Sequence, residues 1–123
     1  MKIRVLILMV ICLLLLSSIL SGGNSIFWDT IFRGVGYELM YLRMNDNKLL
    51  KFTTYNKLKI NRTDFLTFLR EKGYTVSEIK VCIHNHPYSP KFSGGDKEFY
   101  RQICEAGFKG KFQVYFRGKI YSL

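Results

Sequence analysis

The feature that most limits what this chain can fold into is its start: Lys2 and Arg4 precede an apolar run, Val5 to Leu20, that carries no charge. At sixteen residues the run is shorter than the roughly 20 that span a bilayer comfortably, and the small residues Ser21, Gly22 and Gly23 follow it. No polar stripe at helical period marks it as one face of a core helix. It therefore reads as a signal peptide or N-terminal membrane anchor over residues 1–23, which places the protein outside the cytoplasm, exported or membrane-anchored. The fold must then be built from residues 24–123, about 100 residues, enough for one modest core and no second domain.

Of the chain's 19 basic residues, removing Lys2 and Arg4 leaves 17 against 9 acidic ones, a formal charge of +8 for this domain. The surplus favours acidic partners. Its lysines are scattered (Lys48, Lys51, Lys57, Lys59, Lys72, Lys80, Lys109, Lys111), which argues for a solvated basic surface and against a nucleic-acid footprint. Cys12 falls in the leader, leaving Cys82 and Cys104 either as a disulfide or as two free thiols.

Element signals run along the domain in a clear order. Ser25 to Arg33 reads as a short amphipathic link. Gly34 and Gly36 break the chain before a strand-like run from Tyr37 to Arg43. Asn45-Asp46-Asn47 signals a turn, and Leu49 to Tyr55 a second strand. Asn61 or Thr63 can cap a helix through DFLTFLREK, ended by Gly73; Asn61-Arg62-Thr63 also fits a glycosylation acceptor, but capping explains it without a eukaryotic host. VSEIKVCI is β-rich and leads into His84. Asp96 to Ala106 reads as a second helix stopped by Gly107, and KFQVYF, RGK and IYSL as a closing hairpin.

The chemistry concentrates in CIHNHPYSPKFSGGD, residues 82–96. Residues i and i+2 of an extended segment point to one side, so His84 and His86, the chain's two histidines, can present both imidazoles to one point. A catalytic zinc site takes three protein ligands and keeps a fourth place open. Asp96, at the mouth of the next helix, is the nearest downstream carboxylate. Ser93 to Asp96 also fits a helix capping box, a reading that by itself requires no metal.

The string His84-Asn85-His86-Pro87, followed by Phe92-Ser93-Gly94-Gly95-Asp96, resembles the JAMM motif of the JAB/MPN domain, written H-x-H-P, a loop, then S-x-x-D. The likeness extends over roughly residues 36–123. It implies that His84, His86 and Asp96 hold zinc, that Ser93 helps hold an oxyanion, and that an upstream glutamate acts as the base. It also implies an α/β fold of the JAB/MPN, cytidine deaminase-like kind, a mixed and mostly antiparallel curved sheet flanked by helices. The function implied is zinc-dependent hydrolysis of peptide or isopeptide bonds in a peptide or protein substrate, with acidic substrates favoured by the charge. One departure is a loop of six residues between His86 and Ser93, one fewer than the commonest spacing.

Strand parity selects the glutamate among Glu38, Glu71 and Glu78. Glu38 shares a face with Met40 and Leu42, the more uniformly apolar side, where a carboxylate is costly unless something pairs with it. Glu71 falls in the charged last turn of a helix, and Glu78 alternates with Lys80 as an outward strand position. Two rivals stand beside the hydrolase: a JAB-like module that has lost catalysis and only binds, and a metal-dependent nuclease suggested by the contiguous letters HNH.

Overall fold

A computed structural model describes residues 25–52 and 60–123. The signal or anchor expected over residues 1–23 lies outside the described residues, as does the end of the second expected strand. Among the described residues no helix is long and apolar enough to cross a membrane.

The described residues form a small α/β unit with one five-stranded mixed sheet and three helices. Helix α1 spans Ser25–Phe32, β1 Met40–Met44, β2 Leu49–Phe52 and α2 Arg62–Glu71. A single 3-10 turn over Val76–Glu78 leads into β3, Ile79–Asn85, followed by α3, Gly94–Glu105, β4, Lys111–Phe116, and β5, Lys119–Ser122. The strand order is β2-β1-β3-β4-β5. The β3–β4 pair is parallel, crossed over by α3, and the other three pairings are antiparallel.

Alternation along the strands divides the interior in two. Met40, Leu42 and Cys82 face a core shared with Phe65 and Leu69 of α2 and with Phe99 and Ile103 of α3. Val81, Ile83 and Tyr115 face the other side, where Trp28 and Phe32 of α1 cover them. Residues 25–33, expected as a link, are therefore mostly a helix. Eight residues make a marginal helix in isolation, and what stabilises this one is the burial of Trp28 and Phe32, worth about 1.5–3 kcal/mol per large apolar side chain. Arg43 is buried on the same side, its guanidinium 4.4 Å from the centroid of Phe27 and 5.6 Å from that of Trp28.

Caps define the helix starts. The Asn61 side chain accepts from Thr63 N–H at 2.8 Å, so of the two expected caps for α2 it is Asn61 that serves. At Gly110 an added Cβ would lie 2.5 Å from the carbonyl oxygens of both Ile79 and Lys80, so only glycine lets the chain enter β4 against the start of β3. Arg117 and Gly118 join β4 to β5 with positive φ at both residues, the pattern of a two-residue I′ hairpin turn.

Two expectations are corrected. Strand β1 starts at Met40, not at Tyr37, so Glu38 precedes the strand and its side chain is 63% exposed, not placed on an apolar face. Glu78 lies in the 3-10 turn, where its carboxylate accepts from the Thr75 N–H at 3.3 Å and hydroxyl at 3.1 Å; it caps that turn instead of alternating outward along a strand. Among the described residues Cys82 and Cys104 are free thiols, Cys82 buried beside Met40 and Cys104 exposed on α3.

Candidate metal centre

The site sits where β3 ends and α3 begins, at the carboxyl end of the parallel strand pair, the place where open α/β sheets tend to gather ligands. His84 is the penultimate residue of β3 and His86 the first beyond it. The His86 N–H donates to the Tyr115 carbonyl at 2.9 Å, extending the β3–β4 pairing by one residue and keeping the alternation that aims both imidazoles to one side.

Asp96 comes to the same point because α3 starts there. The Asp96 N–H donates to Ser93 Oγ at 3.1 Å, and the Ser93 N–H donates to Asp96 Oδ2 at 2.8 Å, a reciprocal capping box. The capping reading is thus met, and it leaves the carboxylate next to the two imidazoles. Its place in the first turn also suits a negative charge, since the helix dipole is positive there.

Three side chains converge. His84 Nε2 lies 2.9 Å from His86 Nε2. Asp96 Oδ1 lies 3.1 Å from His84 Nε2, and Asp96 Oδ2 3.2 Å from His86 Nε2. The side chains are little exposed, at 5% for His84, 9% for His86 and 17% for Asp96. Burial pushes the Asp96 carboxyl up, but hydrogen bonds from His84 and His86 and the Ser93 N–H outweigh it, so the group is held well below the usual carboxylate range. The hydrogen bond to Asp96 raises the His86 imidazole above its ordinary value, against the opposing effect of burial.

Protons alone serve this arrangement poorly. With both Nε2 atoms protonated, two N–H groups meet head to head; with one protonated, the other presents a lone pair to a carboxylate oxygen. A cation at the centre satisfies all three groups together. Tetrahedral coordination with bonds of about 2.0–2.2 Å separates ligand atoms by roughly 3.3–3.5 Å, so the two Nε2 atoms, 2.9 Å apart, need to part by only a few tenths of an ångström. The outer nitrogen of His86 is already set for this role, because Nδ1 lies 3.0 Å from the Ser89 carbonyl and so carries the proton, leaving the Nε2 lone pair to the site. His84 Nδ1 is buried and has no hydrogen-bond partner among the described residues. His84, His86 and Asp96 form a set able to hold a metal ion.

Glu38 stands at the rim, its Oε1 3.9 Å from His86 Nε2. The structure thus brings Glu38 to the site although the parity argument that selected it fails. Glu71 ends α2 and Glu78 is engaged in its own turn. Asn85 is the residue that sequence reasoning passed over: it is 2% exposed, and its signal was a polar residue at a strand position facing the α1 core. On that side a cleft of about 420 Å³ runs from His86 and Pro87 to Arg33 and Arg117.

No family model, curated protein or solved structure matches this chain.

Proposed function

We propose that the protein is a zinc-dependent hydrolase of peptide or isopeptide bonds, of the JAB/MPN kind, acting outside the cytoplasm. The observation that carries this reading is the convergence of His84, His86 and Asp96 with a carboxylate, Glu38, at the rim of the same point. Two imidazoles and one carboxylate suit zinc, whereas magnesium and calcium prefer all-oxygen sets. Bound there, zinc supplies a Lewis acid for the scissile carbonyl and brings the pKa of a water towards about 7.

The chain's own residues supply the rest. Glu38, solvent-facing and within reach of the site, takes a proton from the attacking water and returns it to the leaving amine. Ser93 Oγ accepts from the Asp96 N–H, and a hydroxyl that accepts still has its own hydrogen to donate, here to the developing oxyanion. In the adjoining cleft Arg33 is paired with Asp29, and Arg117 is the cation that favours an acidic group on the substrate. The charge-free run Val5 to Leu20 supports an extracytoplasmic substrate and, if retained, a membrane anchor.

The test is to load the full chain with zinc and offer peptides, isopeptide-linked peptides and peptidoglycan stem peptides. Turnover that stops with a chelator and in Glu38→Gln supports the reading. Stoichiometric zinc with no turnover of any member of the panel would favour the binding module, and metal-dependent cleavage of DNA would favour the nuclease.

A further inference from the structure

We propose that Asn85, the residue between the two histidines, is a positioning residue that holds Glu38 over the metal centre; the chemical consequence rests on the hydrolytic reading, the geometry does not. Strand alternation turns Asn85 away from His84 and His86, toward the α1 side, where a buried carboxamide must find partners or lose free energy. It finds them all in one segment. Asn85 Oδ1 accepts from the Leu39 N–H at 2.7 Å. Asn85 Nδ2 donates to the Tyr37 carbonyl at 2.8 Å and lies 3.5 Å from the Val35 carbonyl.

Tyr37 and Leu39 are the two neighbours of Glu38. One carboxamide therefore grips the backbone on both sides of the glutamate, and only one orientation of the amide fits, with oxygen to the N–H and nitrogen to the carbonyls. Nothing else among the described residues does this work as directly. The β1–β3 ladder begins with Met40 opposite His84, and beyond it the Asn85 N–H still reaches the Leu39 carbonyl at 3.3 Å. Upstream of Met40 no strand pairing holds the described chain. Asn85 thus replaces the missing ladder where the chain leaves the sheet.

The side chain that serves here needs a donor and an acceptor on one short stem. Aspartate lacks the donor, and alanine lacks both. Displacing a reacting group by about 1 Å can cost on the order of a hundredfold in rate, so the clamp matters to proton transfer without touching the metal.

Two measurements on the full chain test this. In the first, cobalt(II) is loaded in place of zinc and the paramagnetic broadening of the Glu38 γ protons is compared with that of the His84 and His86 rings. The expected result is strong broadening at Glu38 in the wild type, clearly weaker broadening in Asn85→Ala, and unchanged effects at both histidines. Equal Glu38 broadening in the two proteins overturns the proposal, as does a wild type that binds no cobalt. If Asn85→Ala does not fold, Asn85→Asp keeps the acceptor for Leu39 and loses the donor to Tyr37; intermediate broadening supports the clamp and wild-type broadening overturns it. In the second, with a peptide that the wild type hydrolyses, Asn85→Ala is expected to lose roughly 10–100-fold in kcat with KM unchanged. Glu38→Gln with Asn85→Ala should be no slower than Glu38→Gln alone, and multiplicative losses overturn the proposal. A wild type that hydrolyses nothing sinks the hydrolytic reading, while the cobalt measurement still decides the clamp.

Discussion

The candidate metal-ligand set and Glu38 lie within 4 Å of each other at His86, yet they are held by opposite means. His84, His86 and Asp96 are fixed through their side chains, which are nearly out of solvent and engage one another. The Glu38 side chain stands mostly in water, and only its flanking backbone is gripped. On the proposed reading, affinity for a metal and readiness to move a proton rest on separate supports, and substitutions should divide them.

The largest expected effect breaks the buried half. His84→Ala removes a ligand outright, so metal affinity should fall by more than the roughly 10–100-fold that loss of an outer partner costs. Competition with a chromophoric chelator measures it. Next, Glu38→Gln should keep the metal and lower hydrolysis by about a hundredfold to ten-thousandfold, the range of general acid–base catalysis. Assayed beside it, Glu71→Gln and Glu78→Gln should leave the rate near wild type; a large loss in either with full activity in Glu38→Gln would reassign the base.

How far these two regions could be read in advance differs for a physical reason. The ligands followed from local rules: period-two alternation puts His84 and His86 on one side, and the Ser93–Asp96 spacing is that of a capping box. The caps at Asn61 and Ser93 and the closing hairpin were legible in the same way. Glu38 does lie beside the site, but the parity argument that selected it had a false premise, because β1 starts three residues later than its composition suggests. Asn85 occupies the backbone groups on either side of Glu38, and a hydrogen bond between residues 46 apart leaves no local signature. Helix α1 was hidden likewise, since SIFWDTIF has more aromatic and β-branched character than helix propensity and is stabilised by the sheet it covers. Pairing of β3 with β4, which sets the site at a parallel strand end, is a tertiary choice that element order alone does not dictate.

A smaller effect sharpens the buried half. Ser93→Ala should cost about 0.5–2 kcal/mol in stability, as loss of an N-cap does, because the Asp96 N–H loses its acceptor. A thermal melt lower by several degrees, at roughly 4–8 °C per kcal/mol for a domain of this size, would show it. The smallest concerns α1, which leads into the Glu38 segment. Tyr115 donates its hydroxyl to Asp29, and this bond holds the Asp29 carboxyl below its ordinary value, with Arg33 adding to the effect. A depressed carboxyl contributes stability that is present above its unfolded pKa and lost as pH falls through the folded one. Tyr115→Phe should therefore narrow the difference between melts at about pH 3 and pH 7. An unchanged difference would mean that the bond contributes nothing in solution.

On the proposed reading His84, His86 and Asp96 close around one metal ion. X-ray absorption at the zinc edge of the zinc-loaded full chain tests it most directly. About one zinc per chain is expected, with two imidazole nitrogens and the remaining light scatterers oxygen, at roughly 2.0–2.2 Å. Sulfur scattering at about 2.3 Å, which would place the ion on a cysteine, or a chain that retains no zinc, would contradict it.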